Sequence, residues 1–113
     1  MKILHLTLKK KWFDMILSGE KKEEYREIKP YWLTRFKYYC NHEDMMHELN
    51  HEYTHIKFIN GYSKNAPNFI IEFNDINFGT AKPEWSDNWK GEVFVLKLGN
   101  ILSTTHTGAL ACN

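Results

Sequence analysis

Residues 2–8 alternate in polarity, with Leu4, Leu6 and Leu8 on one side and Ile3, His5 and Thr7 on the other. A period of two with one wholly apolar side predicts a strand. After Lys9-Lys10-Lys11 the period changes. Trp12, Met15 and Ile16 stand at i, i+3 and i+4, with Phe13 and Leu17 widening the stripe, which predicts one face of a short helix. Ser18-Gly19 closes it, because a glycine after the last apolar residue takes the left-handed cap. Residues 21–28 read Lys-Lys-Glu-Glu-Tyr-Arg-Glu-Ile, a charged strand with Tyr25 as its aromatic member, and Pro30 stops it. A second helix is predicted over 31–36, where Trp32 and Phe36 stand four residues apart.

The stretch 40–53 is polar, rich in His, Glu and Asn, and predicts a further helical or irregular segment. Ile56 with Phe58, and then residues 69–78, supply two more strands on either side of turn chemistry at 60–67. Residues 79–91 hold Gly79, Pro83 and Gly91 and predict an open loop carrying Trp85 and Trp89. Residues 93–102 form the last predicted strand, and 103–113 a short polar tail that frays. Five strands with two helices early in the chain, or three if the polar insert is helical, lack regular β-α alternation. The expected class is α+β around an antiparallel or mixed sheet. Exposed edges are a hazard, which favours a small curled, barrel-like sheet with the helices packed on it.

At 113 residues the chain reads as a single domain over 1–113, without domain-scale repeats. Hydrophobic residues at 42% and charged residues at 26% are those of an ordinary globular chain. A domain of this size buries roughly two-thirds of its unfolded surface and needs no disulfide. Cys40 and Cys112 are too few and too far apart for a disulfide framework. Apolar runs of only a few residues predict no membrane span and no membrane partner. Residues 1–6 lack the apolar core of a signal peptide, so a cytoplasmic, reducing setting is expected. Fifteen Lys and Arg against 14 Asp and Glu leave a net charge of +1. That excludes a broad coater of duplex DNA but leaves a local basic cleft open.

Candidate chemistry begins where the first helix meets the charged strand. Alternation places Lys22, Glu24 and Arg26 on one strand face and Tyr25 on the other, with Lys21 at the turn, its stem free to swing either way. This is either a polar pocket or a solvated face with ion pairs contributing ~0–1 kcal/mol each. If Glu24 lies beside Lys21, the lysine stays charged, which suits holding a phosphate or an oxyanion and makes it a poor nucleophile. A rival pattern lies in the insert. His47-Glu48-Leu49-Asn50-His51 fits H-E-x-x-H, and the five residues from His51 to His55 fit it again. On a helix that spacing turns two histidines to one side as zinc ligands with the glutamate as base. The stretch is short and polar, and 54–58 reads as the start of a strand, so no metal and no other cofactor is assigned.

Among the aromatics, Trp12, Trp32 and Phe36 read as packing residues. Trp85 and Trp89 either fold back on the sheet or cover a cleft, where stacking on a base contributes ~1–3 kcal/mol. Tyr25 and Tyr62 are candidate cleft residues. Lys9-Lys10-Lys11 is a solvated turn or a guide for a phosphate backbone, and His5 either reaches the cleft or is a satisfied core histidine, the second being favoured.

The run Gly19-x-Lys21-x-x-Glu24-x-Arg26, just after an amphipathic helix that follows an N-terminal strand, resembles the signature of the ASCH superfamily. Element order, length and the closing strand agree, so the resemblance covers residues 2–102, with 40–53 as a variable insert. Phe58-Ile59-Asn60-Gly61-Tyr62 and Ala66-Pro67 look like a feature of one subgroup. The resemblance implies a PUA-like fold and a cleft between barrel and helices suited to RNA or a modified nucleobase. Lys21, Glu24 and Arg26 would line it, with Tyr25, Tyr62 and Trp85 as further ligand-binding candidates. Lys21 and Arg26 would contact phosphate or carbonyl oxygens, and Glu24 would orient them or accept from a base amino group. Replacing Lys21 and Arg26 together by Ala is then expected to abolish binding with little change in Tm.

Some members of that superfamily are small amidohydrolases that deacylate N4-acetylcytidine with the motif lysine, a threonine at the position held here by Glu24, and an acid after the fourth strand. A carboxylate does not replace a hydroxyl nucleophile in simple acyl transfer. Glu84 is the candidate for the later acid. The expectation is therefore a domain that binds RNA or a modified nucleotide. One alternative is a small hydrolase of a modified nucleoside or of RNA, with Lys21 and Glu24, and Glu84 behind them, as catalytic residues. Another is a protein-interaction module, favoured if Trp85 or Trp89 closes the cleft.

Overall fold

The computed structural model describes residues 1–105. Seven strands and two helices follow in the order β1 (Ile3–Leu8), α1 (Lys10–Leu17), β2 (Glu23–Arg26), α2 (Pro30–Arg35), β3 (Tyr38–Cys40), β4 (His47–Leu49), β5 (His55–Asn60), β6 (Asn68–Thr80) and β7 (Glu92–Thr105), with a 3₁₀ turn at Pro83–Trp85. Five strands form one sheet in the order β1-β5-β6-β7-β2, and β3 and β4 form a separate hairpin. β1 runs parallel to β5 while the other pairs are antiparallel, so the sheet is mixed. The fold is α+β, as the element pattern predicts. No helix among the described residues is long and apolar enough to cross a membrane.

The sheet curls into a half-barrel. β1 and β2 stand at opposite edges, yet the Arg26 Nη2 on β2 donates to the Thr7 carbonyl on β1 at 3.4 Å. Curling follows from the long pair β6 and β7, whose register shifts three times between Ile70 and Asp75. Each irregularity bends the strand and increases its twist. Gly99 lies opposite this stretch, and a Cβ there would come within 2.7 Å of the Asn74 and Glu72 side chains. A larger residue there would make the ends of both side chains swing aside.

The concave face holds the core. Leu4, Leu6 and Leu8 of β1 meet Ile56 and Phe58 of β5, Phe69, Ile71 and Phe73 of β6, and Phe94 and Leu96 of β7. Trp12, Phe13 and Ile16 of α1 cover one end, with the Phe13 ring 4.9 Å from that of Phe69. Phe36, at the end of α2, packs against Trp32, Phe73 and Phe94. Burying each such side chain contributes about 1.5–3 kcal/mol.

Three expectations are corrected. The helical alternative for 40–53 falls: apart from Cys40 and β4 the stretch is the turn of a hairpin and irregular chain. The Asn41 side chain accepts the Glu43 N–H and that of Asp44 accepts the Met46 N–H, while Met45 takes a positive φ of 58°. Short polar side chains that bind nearby backbone favour turns over helix. The H-E-x-x-H geometry is thereby lost. His47 lies on β4 and stacks on Tyr38, His51 stacks on Phe73 at 4.8 Å, and His55 opens β5. No group of three His, Cys, Asp or Glu among the described residues is placed to hold a metal ion. His5 is exposed, because only the leucine face of β1 meets the core. The last strand runs on through Thr105, so 103–105 is not frayed tail. The rest of the predicted tail, with Cys112, lies outside the described residues.

Candidate functional site

Gly19 follows α1 with φ of +86°, the left-handed conformation that lets the chain reverse. The Lys21 N–H then donates to the Met15 carbonyl at 2.9 Å, folding the lysine back under the helix. β2 leaves this turn along β7, and alternation puts Glu24 and Arg26 on the concave face while Glu23 and Tyr25 face outward. Lys21, not Lys22, joins the concave pair; Lys22 is exposed.

The three charged tips converge. The Lys21 Nζ donates to Glu24 Oε1 at 2.7 Å, and the Arg26 Nη2 donates to Glu24 Oε2 at 2.7 Å. The side chains of Lys21, Glu24 and Arg26 are 1%, 7% and 20% exposed. Lys21 also sits 4.9 Å from the Trp12 ring centre and 5.4 Å from that of Tyr25, while the Arg26 guanidinium lies 5.4 Å over Trp32. Two cations on one carboxylate leave the cluster with one net positive charge. Replacing Lys21 and Arg26 by Ala is therefore expected to lower Tm, contrary to the small change expected from the sequence. The small change supposes solvated side chains, and these enclose a buried carboxylate that would be left without partners.

Beside this cluster a cavity of about 270 Å³ opens in the seam between the two edge strands. Lys21, Glu24 and Arg26 form its charged part and Trp12, Tyr25, Trp85 and Trp89 its aromatic walls. Thr7, Leu8, Lys9, Ser86 and Asp87 complete it. Lys9 and Asp87, both exposed, approach to 3.5 Å across the mouth. Lys11 and Lys82 lie over the rings of Trp12 and Trp85 at 4.5 and 4.4 Å, giving the rim a basic character. Trp85 and Trp89 flank the cavity and do not fill it.

The outward face of β2 fixes the loop that carries these tryptophans. The Tyr25 hydroxyl donates to Glu23 Oε1 at 2.7 Å and accepts the Lys82 N–H at 3.2 Å, while Lys97 donates to Glu23 Oε2. Tyr25 also packs with Val93, Val95, Ala81 and Trp85. Burial raises the Tyr25 phenol well above its ordinary value, and the Glu23 carboxylate adds to this. For Glu23, burial would raise the carboxyl, but the hydrogen bonds from Lys97 and Tyr25 outweigh it and hold the group below its ordinary value. A depressed carboxyl stabilises the fold above the ordinary glutamate range, and the stabilisation is lost as pH falls through the lower folded value. Glu23→Gln is therefore expected to flatten the acid limb of a Tm-against-pH profile below about pH 4.5. An acid limb identical to that of the wild type would show that Glu23 carries no part of it.

The remaining candidates fall outside the cavity. Tyr62 is 94% exposed in the turn between β5 and β6. Glu84 is exposed on the 3₁₀ turn and does not line the cavity, although its charge reaches Tyr25, which does. Sequence reasoning did not single out Glu23, whose partner Lys97 is 74 residues away, nor Thr7 and Asp87 as lining residues. The adjacent Glu23-Glu24 pair was the available signal, since neighbouring strand residues serve opposite faces. Comparison of the chain with known protein families, with curated proteins and with solved structures finds no match.

Proposed function

We propose that this chain is an ASCH-type domain of PUA-like fold that binds RNA or a modified nucleotide by taking one base into the seam cavity. The observation that carries the reading is the meeting, in one small hollow, of a net-positive buried cluster with four aromatic side chains. The curled five-stranded sheet, the two early helices and the place of Lys21, Glu24 and Arg26 at the helix-to-strand turn support it. A cavity of about 270 Å³ lies at the lower edge of ligand-site volumes, roughly 300–1,000 Å³, and suits a base or nucleoside better than a larger ligand. Stacking supplies sequence-tolerant affinity, and the cations supply attraction for electron-rich oxygen.

Binding fits these residues better than turnover. Glu24 gives one oxygen to each cation, which suits a strut more than a general base. The test is a titration with a short mixed-sequence single-stranded RNA and with free nucleosides, read by tryptophan fluorescence and by Tm. Trp85→Ala is expected to weaken binding about 5- to 150-fold, the equivalent of one lost stacking partner. Neither quenching nor thermal stabilisation with any of these probes would refute the reading.

A further inference from the structure

The charges around the opening of the seam cavity do not cancel. Its carboxylates already hold cations: Glu24 binds Lys21 and Arg26, and Asp87 faces Lys9 across the mouth. Asp14 on α1 is paired with Lys10. Glu23, whose charge reaches Lys82 from the outward face of β2, is held by Lys97 and Tyr25. Lys11, Lys82 and the exposed Glu84 make no ion pair among the described residues. Yet the two lysines are not loose. Their ammonium groups lie 4.5 and 4.4 Å from the centres of the Trp12 and Trp85 rings, and both rings are walls of the cavity. Other exposed lysines without an ion pair, such as Lys22, Lys64 and Lys90, have no such ring contact among the described residues. The placement also costs stability in the protein alone. Lys10 and Lys11 open α1, where the helix dipole is already positive, and no acid lies in its first turn. The whole chain carries a net charge of +1, so the surplus at the mouth is local.

A base that reaches the buried cluster leaves its sugar at the opening, and whatever the sugar carries then meets Lys11 and Lys82. A sugar hydroxyl offers these ammonium groups an uncharged acceptor. Phosphate oxygens accept their hydrogen bonds and neutralise them as well. We infer that the mouth of the cavity is a phosphate subsite with Lys11 and Lys82 as its binding residues, so that the ligand is a nucleotide, free or within a strand, and not a nucleoside. This rests on the base-binding reading given above. Asp87 withholds Lys9 and leaves the anchoring to the two lysines fixed on the cavity walls. An ammonium is a compact point charge, so the subsite adds affinity and sets the depth of the base without reading its identity.

The experiment titrates the protein with adenosine and with uridine, each as the nucleoside, the 5′-monophosphate, the 3′-monophosphate and a short oligomer, by tryptophan fluorescence at low and at moderate salt. A phosphorylated form is expected to bind about tenfold more tightly than its nucleoside at low salt, and the advantage to shrink as salt rises. A gain with either monophosphate assigns the phosphate of a free nucleotide; a gain with the oligomer alone assigns that of a strand. Lys11→Gln combined with Lys82→Gln is expected to bring the ratio toward one. Lys2→Gln combined with Lys37→Gln removes the same charge beside Glu52, at the other end of β1, and is expected to leave the ratio as it is. Equal binding of nucleoside, monophosphates and oligomer would overturn the inference and leave the base pocket standing. So would an undiminished ratio in the Lys11 and Lys82 variant, which would put the phosphate elsewhere, or an equal fall in the Lys2 and Lys37 variant, which would make the attraction one of net charge. Failure of every probe to bind would remove the pocket reading and this inference with it.

Discussion

Glu24→Ala is expected to destabilise the protein by about 3–5 kcal/mol, the cost of removing one partner from a buried ionic cluster. The reason lies in what remains. Lys21 has almost no exposure and Arg26 little, so without the carboxylate two positive charges share a poorly solvated site. Their contacts with the Trp12, Tyr25 and Trp32 rings soften the loss without neutralising it. For a domain of this size the loss corresponds to a fall in Tm of about 15 °C or more. It is a large part of a typical total stability of about 5–15 kcal/mol. Lys21→Met introduced together with Glu24→Ala should recover part of it, because the methionine removes one of the stranded charges. Thermal and urea unfolding followed by circular dichroism measure both variants as a double-mutant cycle. A Tm loss of only a few degrees in Glu24→Ala would mean that solvent already screens the cluster.

Phe36→Ala is expected to cost about 3–5 kcal/mol by a different route, the loss of apolar contact and the void left behind. Phe36 is fully buried, and its ring centre lies 5.7 Å from that of Trp32, 5.1 Å from Phe94, 6.4 Å from Phe73 and 5.8 Å from His51. It thus ties α2 and the segment after the hairpin to the two long strands. Trp32 is also the surface over which the Arg26 guanidinium lies, so the variant should loosen the cavity as well as the core. Phe36→Leu keeps most of the volume and should cost under about 1.5 kcal/mol. Tyr62→Ala, at an exposed turn, should stay within about 0.5 kcal/mol of the wild type. Urea denaturation with an unchanged m-value measures all three as pure stability changes. A small loss in Phe36→Ala would mean that neighbouring rings collapse into the space.

The local patterns were readable wherever one face of an element is buried. The leucines of residues 2–8, the stripe through Trp12 and Ile16 and the closing strand all fall where periodicity puts them. The hairpin at 38–49 is not legible in composition; its signal is turn chemistry. Asn41 and Asp44 stand where their side chains hold the backbone of a turn. The two aromatic candidates in loops had opposite outcomes for a reason no window of sequence contains. Trp85 is drawn to the sheet by the Lys82 N–H on Tyr25 and by packing on Val93 and Val95, while Tyr62 sits on a turn with nothing above it.

Spacing kept Lys21, Glu24 and Arg26 within reach of one another, but the left-handed turn at Gly19 and the Lys21 N–H on the Met15 carbonyl chose Lys21 over Lys22 as the third member. Whether they would be a solvated face or a buried cluster was decided by the curl of the sheet, which brings β1 to within a hydrogen bond of Arg26, and by the loop folded against β2. Periodicity records which side of each element leaves water. The closing of the seam and the depth of the cavity depend on pairings between residues as distant as Glu23 and Lys97, each weak and all cooperative, and those exist only once the chain has folded.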